Sequence, residues 1–165
     1  MKRITLVTGG SRGIVATTAK LCSEAGHSVA VNYATNPAKA NSVARTITAA
    51  GGNTITVKAD TGVKAEVERM FDKVTAELGT ITGLVNNAGI HGPRGRLDEL
   101  SEEKIRAVLE TNVVGYFLCA RAAVIRMSTR HGGNGGAIVN VSFGSAHLGA
   151  PNDGILYAAS KGAVN

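Results

Sequence analysis

Tyr157 and Lys161 stand four residues apart in the run LYAASKG, inside a helical pattern. That spacing puts both side chains on one helical face, about 5–6 Å apart. An ammonium so placed favours a phenolate and lowers the phenol from its usual value of roughly 10 toward the working range. A tyrosine tuned in this way can give and take a proton at a substrate oxygen. Taken alone, the pair is also what an ordinary solvated helix offers. Asn112 stands out independently. Ile105, Val108, Leu109, Asn112, Tyr116 and Ala120 trace one stripe at helical spacing, and the amide is out of place in it. A buried amide needs partners or costs about 1–3 kcal/mol. Asn112 is therefore either a structural hydrogen bonder or part of a site.

A different chemistry is written into TGGSRGIVA, residues 8–16, which follows the apolar run Ile4-Thr5-Leu6-Val7 and precedes a helical pattern. Gly9, Gly10 and Gly13 in a strand-to-helix turn are suited to holding the phosphates of a dinucleotide. Gly9 permits the tight turn, and Gly13 lets backbone approach the pyrophosphate at the helix start. Proteins that prefer NAD place a carboxylate about 20 residues further on, against the ribose 2′-hydroxyl. Here the second strand ends Val31-Asn32-Tyr33-Ala34-Thr35-Asn36 without one. Arg12, inside the turn, offers a forked donor to a 2′-phosphate. The expected cofactor is NADP(H), with Asn32 counted among the residues that meet it. The second glycine-rich loop, HGGNGG at 131–136, leads into a strand and reads as a flexible connector.

The elements that must position these residues alternate. Short β-branched runs predict strands near 3–8, 28–33, 53–58, 83–87 and 137–142. Helical patterns fill 13–25, 37–50, 63–78 and 101–130, and another begins near 155. Such alternation, with near-continuous apolar strands, predicts an α/β fold. Its parallel sheet of about five strands is doubly wound and Rossmann-like, with helices on both faces and ligands at the carboxyl ends of the strands. Residues 1–165 are read as a single dinucleotide-binding domain.

Five motifs then agree in order and spacing: TGGSRGI, Asp60 after the third strand, Asn86-Asn87-Ala88-Gly89 after the fourth, Asn112 in TNVVGYF, and Tyr157-Ala-Ala-Ser-Lys161. Together they resemble the short-chain dehydrogenase/reductase family, over residues 3 to 165. The likeness is greatest to its carbonyl and sugar-alcohol reductases. The resemblance implies an oxidoreductase that moves a hydride between NADP(H) and a carbonyl or alcohol. Tyr157 would pass the proton, Lys161 would also bond the nicotinamide ribose, and Asn112 would form a proton relay with the lysine. It assigns cofactor contacts to Gly9, Ser11, Arg12, Gly13, Ile14, Asp60, Asn87, Ala88, Gly89 and Lys161. It also implies a homo-oligomer, associating through the helices around 101–130 and from 155 onward.

Three departures from the family pattern bear on activity. Val15 replaces the third glycine of the turn, where overpacking would cost about 1–3 kcal/mol. Aligned on Asn140-Val141-Ser142, the position of the family's catalytic serine holds Phe143, which donates no hydrogen bond. Loss of one such donor costs about 10²–10³ in rate. Ser142 should point to the opposite side of the strand, and Ser145 is the candidate replacement. The resemblance also implies later strands and a substrate loop beyond Asn165, so the chain reads as a shortened homologue or a piece of a longer protein. The fifth strand would then be an apolar edge. The alternative to an impaired enzyme is a non-catalytic module that binds NADP(H) or a partner.

Composition bounds the other classes. With 44% apolar residues, 21 glycines and 3 prolines, the chain can bury a core of aliphatic side chains between tight turns. The net charge of +6 comes from dispersed lysines and arginines without aromatic-flanked basic runs, so no nucleic-acid partner is expected. The densest cluster, Arg121, Arg126, Arg130 and His131, reads as a solvated face late in a helix. Cys22 and Cys119 read as buried free thiols, and the four histidines lack ligand spacing, so no metal is expected. The apolar run at the N-terminus is too short for a signal peptide and nothing reads as a membrane span, which makes the expected location cytoplasmic.

Overall fold

The computed structural model describes residues 2–165. Five parallel strands form one sheet: β1 (Ile4–Val7), β2 (Ser28–Tyr33), β3 (Thr54–Lys58), β4 (Gly83–Asn86) and β5 (Ala137–Asn140), in the order β3-β2-β1-β4-β5. Leu6 sits opposite both Ala30 and Leu84, which fixes the register of the three central strands. The helices are α1 (Gly13–Glu24), α2 (Pro37–Ala49), α3 (Lys64–Glu77), α4 (Glu102–Leu109), α5 (Gly115–Met127), α6 (Ser145–Leu148) and α7 (Ile155–Gly162). Asn36 caps α2 by accepting from the Lys39 amide, with Pro37 at the first helical position, and Ser101 caps α4 in the same way.

Alternation along the strands divides the core in two. Val7, Val29, Val31 and Val85 meet Val15 and Ala19 of α1 and Ala40, Val43 and Ile47 of α2. Ile4, Leu6, Ala30 and Leu84 face the other way, onto Met70, Phe71 and Val74 of α3 and Cys119, Ala123 and Met127 of α5. This is the doubly wound arrangement expected.

Three local features differ from the sequence reading. The helix expected over 101–130 runs from Glu102 to Met127 and carries a π-helical segment, Glu110–Val114, between α4 and α5. Its apolar residues make the stretch from Glu102 to Met127 long and apolar enough to cross a bilayer by composition, yet α5 packs on α3 and β4 as a core helix does. The 131–136 connector is tightly seated: a Cβ on Gly136 would lie 2.4 Å from the Met127 sulfur, so this loop closes on the end of α5. Arg126 is not part of a solvated face either. Its guanidinium lies 5.2 Å from the centre of the Phe71 ring and pairs with Asp72, tying α5 to α3.

Candidate active site

The turn between β1 and α1 is held open by backbone that only glycine adopts cheaply. Gly9 and Gly13 have φ of 64° and 60°. A Cβ on Gly9 would stand 3.0 Å from the Ala88 Cα, so the loop after β4 comes down directly on the turn. Thr8, fully buried, joins the two: its hydroxyl accepts from the amides of Asn87 and Ala88 and donates to the Val85 carbonyl. Asn32 braces the turn from the other side. Its Oδ1 accepts from the Gly9 amide at 3.0 Å, and its Nδ2 donates to the carbonyls of Val57 and Ala59. Asn32 also lines the cleft that adjoins this turn. The side chain is 1% exposed and its polar atoms are engaged within the protein, so it shapes the turn.

Between this turn, the ends of β2 and β3, and residues 87–90 lies a cleft of about 680 Å³. Ser11, Arg12, Gly13, Ile14, Asp60, Asn87, Ala88 and Gly89 all line it. Arg12 is the N-cap residue of α1, exposed and making no capping bond, so its fork is available. Lys39, on the first turn of α2, lines the same cleft. Sequence reasoning passed over it because a lone lysine on a polar helix face carries no signal. The free amides at the start of α1 and these two cations make a cradle for a polyanion.

The second cluster lies along α7. Tyr157 is partly buried, with the His91 ring stacked on it at 4.9 Å and Phe143 edge-on at 5.7 Å. Lys161 is 2% exposed, and its Nζ lies 5.6 Å from the centre of the Tyr157 ring. The helix does bring the pair together. The ammonium, however, donates to the Tyr116 hydroxyl at 3.0 Å and to the Val141 carbonyl at 2.8 Å. Burial pushes the Tyr157 phenol above its ordinary value and pushes the Lys161 amine below its own. The sequence expectation of a lowered phenol is therefore not met in the chain by itself. Desolvation outweighs an ammonium whose hydrogen bonds point elsewhere.

The profile of the family described as short chain dehydrogenase matches residues 3–165. The chain belongs to the short-chain dehydrogenase family. It is 48% identical over 162 residues to YgfF, an uncharacterized oxidoreductase of Escherichia coli, covering 98% of this chain and 66% of that protein. It is 35% identical to the cis-4-hydroxycyclohexanecarboxylate dehydrogenase of Sinomonas cyclohexanicum, covering 99% and 64%. Among solved structures, a short chain dehydrogenase from Burkholderia cenocepacia in complex with NADP matches with a TM-score of 0.87 at 39% identity, covering 98% of this chain and 63% of that one. The chain thus spans slightly less than two thirds of the length of these relatives.

Within this short-chain dehydrogenase framework, Asn112 sits where the π-helical segment turns it inward, fully buried. Its Oδ1 accepts from the Ile90 amide, and its Nδ2 donates to the Ile90 carbonyl and to the Ser160 hydroxyl, all at 2.8–2.9 Å. None of these bonds reaches Lys161; they string the loop after β4 to α7. Val15 is 6% exposed and seated in the apolar layer below α1, while also lining the cleft. Phe143 is exposed beside Tyr157. The Ser142 hydroxyl donates to the Lys161 carbonyl of α7. The Ser145 hydroxyl is enclosed without a partner at the start of α6. Tyr116 and His91 were not singled out from the sequence as site residues. Tyr116 reads as one more member of the apolar stripe, and His91 reads as an isolated loop residue.

Proposed function

We propose that this chain is an NADP(H)-binding oxidoreductase domain acting on a small carbonyl compound or the matching alcohol. The observation that carries the reading is the pairing of a polyanion cradle at the Gly9–Gly13 turn with a buried Lys161 beneath Tyr157 at the neighbouring strand ends. Arg12 and Lys39 would hold the 2′-phosphate, and the amides at the start of α1 the pyrophosphate. When bound, the nicotinamide supplies or accepts the hydride. Tyr157 then holds the proton at the substrate oxygen, with the Lys161 charge beneath its ring opposing, in part, the desolvation that raises the phenol.

A second reading is a module that binds NADP(H) without turnover. Phe143 favours it, because a ring edge-on to Tyr157 stands where a second donor to the carbonyl would be needed. Calorimetric titration with NADPH and NADH comes first. Tighter NADPH binding, lost on Arg12→Ala, supports both readings, and no binding refutes both. NADPH oxidation with a carbonyl panel then separates them. Homo-oligomerisation belongs to the same proposal: Leu109, Phe117 and Val124 are exposed along α4 and α5, an apolar face that a second copy would cover. Sedimentation equilibrium should return a dimer or larger species, and Phe117→Glu should shift it toward monomer.

A further inference from the structure

The Lys161 ammonium is held by α5 and by the backbone just past β5. Tyr116, on the first turn of α5, is 3% exposed; its hydroxyl accepts from Lys161 Nζ at 3.0 Å and donates to the Val141 carbonyl at 2.9 Å. The same carbonyl accepts from Lys161 at 2.8 Å, so hydroxyl, ammonium and carbonyl close a triangle at the end of β5. The ammonium also lies 5.0 Å from the centre of the Tyr116 ring and 5.6 Å from that of Tyr157, between two aromatic faces. The titratable groups around it are Tyr116 and Cys119 from α5, Tyr157 from α7, and His91 stacked on the far side of Tyr157. His147 of α6 contacts Asn165 at the surface, Glu102 and Arg106 of α4 pair with each other there, and Glu110 of the π segment packs on Gly62. None of the ion pairs among the described residues includes Lys161. Neutral acceptors alone hold this charge, and the Tyr116 hydroxyl is one of the two.

We propose that Tyr116 is a positioning residue: its hydroxyl, anchored on the Val141 carbonyl, fixes the Lys161 ammonium beneath the Tyr157 ring and keeps it charged. A hydrogen-bond acceptor aimed at an ammonium favours the protonated form, and a buried amine that loses one gives up its proton more readily. Tyr157 then loses the neighbouring charge that favours its phenolate. Tyr116 thereby sets the proton affinity of Tyr157 from a second helix without touching the substrate. The inference rests on the reading of Tyr157 and Lys161 as the proton-handling pair.

The test is a pH titration of the 165-residue chain by NMR, with 13C at lysine Cε and tyrosine Cζ, and Lys161→Met and Tyr157→Phe to assign the signals. In Tyr116→Phe, which keeps the ring and removes only the hydroxyl, Lys161 should titrate about half a pH unit or more lower and Tyr157 higher. Lys161→Met should raise Tyr157 by itself, and adding Tyr116→Phe to it should move Tyr157 no further. An unmoved or raised Lys161 in Tyr116→Phe, with Tyr157 still responding to Lys161→Met, overturns the role of Tyr116 and spares the pair. A Tyr157 indifferent to Lys161→Met overturns the pair itself. Should Tyr116→Phe fail to fold, the unmodified chain still decides. Nuclear Overhauser contacts between the Lys161 ε-protons and the Tyr116 ring are expected, and their absence refutes the triangle.

Discussion

Val15 shows how one residue can serve two masters at the turn. It lines the cleft and is also 6% exposed in the apolar layer with Val7 and Val31. Val15→Gly therefore removes branched bulk beside the cofactor cradle and simultaneously opens a cavity under α1. The expected outcome is NADPH binding up to about tenfold tighter with a stability loss of about 2 kcal/mol, read by calorimetry and urea denaturation. Unchanged affinity would show that Val15 acts only on the core. Phe143 is simpler, being exposed, with its edge-on contact to Tyr157 as its one aromatic neighbour. Phe143→Ser should leave the unfolding midpoint in place and raise NADPH-dependent carbonyl reduction by as much as about 100-fold. No gain would place the lesion elsewhere.

At the scale of elements, Asn112 marks where the helical stretch around it departs from α geometry. The π-helical segment widens one turn of the helix, and the amide it carries meets both backbone groups of Ile90 and the Ser160 hydroxyl. π-Bulges gather at functional positions because the extra residue re-aims a side chain. Asn112→Ala leaves both part-buried backbone groups of Ile90 without this partner and Ser160 with only its bond to the Tyr157 carbonyl. It should cost about 3 kcal/mol, with amide exchange rising at Ile90 and along α7. A loss under about 1 kcal/mol would mean that water replaces the amide without penalty. The sequence marked Asn112 as needing partners without naming Ile90 or Ser160, since the stripe says what faces inward and not which loop arrives there.

Across the whole molecule, buried titratable groups set the alkaline limit. Burial pushes the Cys119 thiol from its usual 9.0 up to about 12, and raises Tyr116 above 10.0. Both groups hold their protons longer folded than unfolded. Their contribution is fully present below pH 9 and declines as pH rises toward the folded values. Lys161 acts with the opposite sign: its depressed amine penalises the fold at lower pH, and the penalty fades toward 10.5. The thiol and Tyr116 shifts prevail, so the unfolding midpoint should fall between pH 9 and 11. Cys119→Ala should flatten that decline while lowering the midpoint throughout. An equally steep decline in the variant would assign it to the tyrosines and to Cys22, whose thiol burial also raises.

Local pattern by itself determined the strands, the helices flanking them, the glycine turn and the Tyr157–Lys161 helix, because each rests on periodicity or spacing within one segment. Tertiary structure alone decided which side chains share hydrogen bonds across the strand ends. Asn32 bracing Gly9, Asn112 holding Ile90, and Tyr116 holding Lys161 join residues 22 to 45 positions apart. Such pairings depend on register, crossover and the depth at which each helix packs. No window of sequence contains both partners, and burial then reverses the pKa direction that spacing alone suggested for Tyr157.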